Sequence, residues 1–125
     1  MATTTPAEAD RGAATQQQAR ALQLAHAHRA TQAIHRAALA AEHPRPLAAA
    51  EARLQGITTA LRQAAHPALA AALDAEATTG AVLQCVLTAD DDTSTAGLDG
   101  ALADYQHHRT DVDALLPTTR PTDRP

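Results

Sequence analysis

The sequence predicts an all-α protein, an antiparallel up-and-down bundle of three or four helices with disordered termini, and three observations predict it. Alanine and leucine dominate, with 34 Ala and 14 Leu against one Tyr and no Phe or Trp. Ala is the strongest helix former and a poor strand former. Apolar residues recur at alternating spacings of three and four, which is the period of an amphipathic helix and not of a strand. Proline stands between the periodic stretches, at Pro44, Pro46, Pro67 and Pro117, where it closes one helix and suits the first turn of the next. At 125 residues and 45% hydrophobic content, the chain has material for one domain and no room for two substantial cores. The expected layout is a flexible segment 1–13, a helical bundle 14–116 and a flexible segment 117–125.

Residues 1–13 are rich in Thr and Ala and contain Gly12. Thr5-Pro6-Ala7-Glu8 has the form of a capping box with Pro at the first helical position, yet the composition around it reads as a tail. Helix 1 is expected from Ala14 to Glu42, with Leu24, Ala27, Thr31, Ile34, Ala38 and Ala41 on its apolar face. His43-Pro44-Arg45-Pro46 ends it, because a residue before proline avoids helical geometry.

Helix 2 is expected from Pro46 to Ala65 and is the clearest amphipathic segment. Leu47, Ala50, Leu54, Ile57, Leu61 and Ala64 form a narrow stripe, with Glu51, Arg53, Gln55, Arg62 and Gln63 off it. Placed antiparallel to helix 1, it sets Leu54 opposite Ile34, with Leu61 opposite Ala27. Pro67 then breaks the chain or kinks it, and the sequence leaves open which. Helix 3 follows to Ala89 through Leu69, Leu73, Glu76, Gly80, Leu83 and Leu87. A second strip on it, Val82, Cys85, Val86 and Ala89, is an apolar surface that a partner chain could cover. The run Asp90 to Thr95 is a polar loop, and helix 4 is expected from Ala96 to Leu116 through Leu98, Leu102, Tyr105, Arg109, Val112 and Leu116.

Helices 3 and 4 each place one charged residue on an otherwise apolar stripe. With Leu87 set opposite Leu98 across the loop, Glu76 falls opposite Arg109, and Gly80 falls opposite Tyr105. The expectation is a semi-buried Glu76–Arg109 ion pair that fixes helix register, beside a Gly80–Tyr105 packing pair. Cys85 is expected to be a buried, unreactive thiol.

Net charge is −4 and unevenly spread: residues 1–66 hold seven Arg and four acids, residues 67–125 three Arg and ten acids. That asymmetry favours docking between halves or between chains and weighs against nucleic acid as the main partner. All ten basic side chains are Arg, a bias that with abundant Ala matches a high-GC bacterial genome. One cysteine cannot staple the fold, and the first residues carry acids where a secretion signal carries bases. No run approaches the roughly 18 apolar residues of a membrane span. A cytoplasmic protein without a membrane partner is expected.

No spacing in the chain points to catalysis or to a cofactor. His28, His35 and Glu42 recur every seven residues, about 10 Å apart along a helix, too far to share an ion. Asp104, His108 and Asp111 share a face of helix 4 and are the best local metal candidates, but they lack further ligands. Asp90-Asp91-Asp92 resembles the start of a calcium loop, with Thr95 where Gly is needed and Ala101 where a chelating Glu belongs. The expected function is non-enzymatic: a protein-interaction or scaffold module, with a protein partner that could be a second copy in a homodimer. The alternatives are a small DNA-associated regulator using Arg29 and Arg36 on one face of helix 1, and a metal or small-ligand carrier at the helix 4 His/Asp face.

Overall fold

In the computed structural model, residues 6–89 and 95–117 are described, with backbone alone at 6–10 and 95–96. They form four helices: α1 (Pro6–Ala41), α2 (Pro44–Gln63), α3 (Pro67–Thr88) and α4 (Thr95–Leu115). The acidic run at 90–94 and the ends of the chain, 1–5 and 118–125, lie outside the described residues. The fold is an up-and-down bundle. α3 packs against the other three helices, α1 packs against α2 and α3, and the backbone of α4 approaches that of α3 alone.

α1 begins eight residues before the expected Ala14, so residues 6–13 are helical and not a separate tail. Its 36 residues span roughly 54 Å at 1.5 Å per residue, far longer than α2, and residues 11–18 are accordingly exposed. α2 also starts earlier than expected, at Pro44 instead of Pro46.

The two corners are built alike. α1 ends at Ala41, Glu42 adopts φ 55°, and α2 is followed by Ala65 at φ 67°. The Glu42 and His43 amides donate to the carbonyls of Leu39 (3.2 Å) and Ala38 (3.0 Å), and those of Ala65 and His66 to Arg62 (3.1 Å) and Leu61 (2.8 Å). This is the paired hydrogen-bond pattern of a helix stop with a left-handed residue. Each stop is followed by His-Pro, whose proline opens the next helix. α2 and α3 are therefore separate helices joined by a tight corner, not one kinked rod.

The apolar core occupies the end of the bundle near the α2–α3 corner: Ala21 and Ala25 of α1, Ile57 and Leu61 of α2, Leu69, Ala70 and Leu73 of α3, and Val112 of α4. The α2 stripe is buried as Ala50, Leu54, Ile57 and Leu61. The buried face of α1 differs in part from the expected one. Thr31 and Ala38 are buried as expected, and Leu24 and Ala27 are partly buried against the core, but the face also takes in Ala21, Ala25, His28 and Gln32, while Ile34, expected to face Leu54, is 57% exposed. Leu87 of α3, expected to meet Leu98, is 58% exposed. No helix among the described residues is long and apolar enough to cross a membrane.

Candidate functional site

Midway along the bundle, the apolar core gives way to a polar layer built by α1, α3 and α4. Glu76 is its centre, a carboxylate 1% exposed on the face of α3 that meets α1. Its partner is Arg29, not Arg109. The Arg29 Nη2 donates to Glu76 Oε2 at 2.8 Å, and Nε lies 3.1 and 3.2 Å from the two carboxylate oxygens. Arg29 Nη2 also reaches Asp113 Oδ1 of α4 at 2.9 Å. The expectation failed because α1 runs alongside α3 and sets Arg29 opposite Glu76, which a pairing of successive helices does not consider. Arg109 is exposed, and its guanidinium carbon lies 5.8 Å from the centre of the Tyr105 ring. The hydrogen bond that Arg29 donates to Glu76 raises its pKa above the ordinary value, outweighing the opposing effect of burial, and Asp113 reinforces the rise.

Gln32 completes the layer. Its side-chain NH2 donates to Glu76 Oε1 and to His28 Nδ1, both at 2.8 Å, so both amide hydrogens are used. With Nδ1 accepting, the neutral His28 ring carries its proton on Nε2. That atom is buried with no hydrogen-bond partner, and Asp74 Oδ1 stands 4.0 Å away. Desolvation lowers the His28 pKa below its ordinary 6.5, against the opposing pull of Asp74 and Glu76. Thr31 is buried as well; its hydroxyl donates to the Ala27 carbonyl at 2.8 Å and accepts from Arg53 Nε at 3.2 Å.

Beside this layer, Gly80 of α3 lets Tyr105 of α4 come close. A Cβ on Gly80 would stand 3.0 Å from Tyr105 Cε1 and 3.4 Å from Arg36 Nη1. A polar notch of about 150 Å³ opens there, lined by Arg29, Gln32, Arg36, Glu76, Tyr105 and Arg109.

At the end away from the core, α2 and α3 part, and an apolar groove of about 860 Å³ lies between them over the last turns of α1. Leu39 and Leu54 line it from α1 and α2, and Ala77, Ala81, Val82 and Val86 from α3. Val82 is 52% exposed. Val82, Cys85 and Val86, the strip singled out in the sequence, thus line one wall. Cys85 is exposed there and not buried, because the groove separates its side of α3 from α2. The rim carries Glu51 and Asp74, whose contacts are long: 3.4 Å to His35 and 3.7 Å to Arg62.

The helix 4 triad does not assemble. Asp111 Oδ2 lies 3.5 Å from His107 Nε2 and 3.7 Å from His108 Nδ1, Asp104 takes no part, and no group of three His, Cys, Asp or Glu among the described residues could hold a metal ion. The Arg-bearing face of helix 1 is turned into the bundle, with Arg29 on Glu76 and Arg36 against Tyr105. His28, Gln32 and Arg29 escaped sequence reasoning as a cluster, although Gln32 and His28 follow one another at helical spacing. Across known proteins, the chain matches no family model, no curated protein and no solved structure.

Proposed function

We propose that this protein is a non-enzymatic interaction module whose open groove receives an amphipathic helix with basic flanks from a protein partner. The carrying observation is the groove itself, mostly apolar, with His35, Gln55 and Thr78 among its lining, and wide enough to expose Val82 and Cys85 to solvent. Apolar surface of this kind gains about 1.5–3 kcal/mol for each large side chain it buries, and a helix laid in a groove is an efficient way to bury several. Basic flanks follow from the rim, where Glu51 and Asp74 are half exposed and held only at long range. They follow too from the net charge of −4. The reading of helix 1 as a DNA-binding face has less support, since Arg29 is engaged by two carboxylates.

The test is binding of two synthetic amphipathic peptides, one of Leu and Arg and one of Leu and Glu. The Leu/Arg peptide should bind saturably, slow the modification of Cys85 by a thiol reagent, and lose affinity when Val82 is replaced by Arg. Equal binding of both peptides, or binding indifferent to Val82→Arg, would sink the proposal. A mass that doubles with concentration by light scattering, and falls back in Val82→Arg, would put a second copy of the chain in the groove instead.

A further inference from the structure

We propose that the notch between α1, α3 and α4 is a binding site for a compact oxyanion, of the phosphate or small-carboxylate class, held by Arg36 and Arg109 beside Tyr105. The polar groups within the notch divide into two sets. Arg29, Gln32 and Glu76 satisfy one another, with Asp113 as a further acceptor for Arg29. Arg36 and Arg109 are left over. Among the described residues neither has a carboxylate partner, and Arg36 Nη1 is buried with no acceptor for its hydrogens. The three guanidiniums face two carboxylates, so one positive charge remains.

The arrangement is held in place. Gly80 gives Tyr105 and Arg36 room against the backbone of α3, where a Cβ would stand 3.0 Å from the ring and require it to shift by a few tenths of an ångström. The guanidinium carbons of Arg36 and Arg109 each sit 5.8 Å from the centre of the Tyr105 ring. Ring contacts of this kind steady a guanidinium only weakly when exposed, and they do not use its N–H groups. A buried donor without an acceptor is destabilising, and an arginine cannot shed its proton to escape that cost. At about 150 Å³ the notch has the volume of roughly five waters. Water can accept a hydrogen bond there, but it brings no charge. An oxyanion supplies both, and the planar guanidinium fork matches its paired oxygens.

Tyr105 is the only Tyr in a chain without Trp or Phe, so tyrosine emission reads this notch alone. The experiment titrates the folded protein with sodium phosphate and, separately, sodium acetate, with chloride holding ionic strength constant. A saturable change in emission is expected for at least one of them. Arg36→Gln should raise the half-saturating concentration about tenfold or more, equivalent to ~1.4 kcal/mol, and Arg109→Gln should raise it as well. Arg109 is exposed, so its replacement tests the site even where Arg36→Gln perturbs folding. Saturation by phosphate alone assigns a tetrahedral oxyanion, and saturation by acetate also admits carboxylates. Emission that is unchanged, or that falls linearly and equally in the parent and both variants, overturns the proposal and makes the notch a solvent site.

Discussion

Glu76 shows how one buried charge organises its surroundings. Its two oxygens accept from Arg29 and Gln32, and Gln32 in turn fixes the tautomer of His28. Such a pair adds little net stability, because desolvation offsets most of the attraction, yet removing one member strands the other and typically costs ~3–5 kcal/mol. Glu76→Leu and Arg29→Leu should each lower the urea midpoint steeply, the double variant should regain part of the loss, and Arg109→Leu should change it by less than about 1 kcal/mol. A coupling between Glu76 and Arg109 as large as that between Glu76 and Arg29 would refute this assignment. The sequence marks Glu76 as a charge on an apolar stripe, but its partner sits on a helix two elements away, and no spacing within a helix encodes that. His28 adds a pH dependence with a definite sign. Its folded pKa is lowered by burial, so the unfolded chain takes up the proton first. The associated stability is complete above pH 6.5 and is lost as pH falls from there through the folded value. Thermal melts between pH 8 and pH 5 should therefore fall on the acid side, and the fall should flatten in His28→Gln; parallel curves for the two proteins would remove His28 as the cause.

At the scale of helices, the stops were easier to find in the sequence than the faces. His43-Pro44 and His66-Pro67 announce both corners, since proline at the start of a helix and a restricted residue before it are local effects. Less visible is that each corner sets a residue with a side chain, Glu42 or Ala65, in left-handed backbone where glycine is usual. That conformation costs an L-residue about 1–2 kcal/mol, partly offset by the greater freedom glycine has when unfolded. Glu42→Gly and Ala65→Gly should each stabilise by about 0.5–1 kcal/mol and raise the melting temperature by a few degrees. Ala48→Gly, on an exposed position within α2, should instead destabilise by about 1 kcal/mol. Loss of stability at Ala65→Gly would show that the corner is not strained. The buried face of α1 was legible at Thr31 and Ala38 but not at His28, Gln32 and Ile34, for a different physical reason. Hydropathy sends His28 and Gln32 to solvent, whereas here they are buried because Glu76 accepts from Gln32 and Gln32 in turn donates to His28 Nδ1, which leaves only His28 Nε2 without a partner. Once polar groups are paired, their burial no longer follows their transfer cost. Ile34 is correspondingly turned outward.

Across the whole molecule there are three zones: an apolar core beside the α2–α3 corner, the polar layer around Glu76, and the open groove, which runs past that layer along another side of α3 from Asp74 to Ala89. The all-α class and the bundle were legible in Ala, Leu and proline placement because those act locally. The groove was legible only as an apolar strip at Val82, Cys85 and Val86, since whether such a strip is covered depends on how far two helices diverge from their shared corner. The zoning separates stability from binding. Leu61 and Leu73 are fully buried in the closed end, where truncation leaves a cavity that neighbouring Ala side chains are too short to fill. Leu61→Ala and Leu73→Ala should each cost about 2–5 kcal/mol. Val82 is half exposed at the open end, so Val82→Ser should shift stability by no more than about 0.5 kcal/mol. Its effect should appear in the affinity for the Leu/Arg peptide, where the side chain becomes buried. Denaturant melts and peptide titrations on the same variants measure the two quantities independently. A Val82→Ser protein that melts like Leu61→Ala would place the groove wall in the folding core, and the open end would then have to be closed in solution.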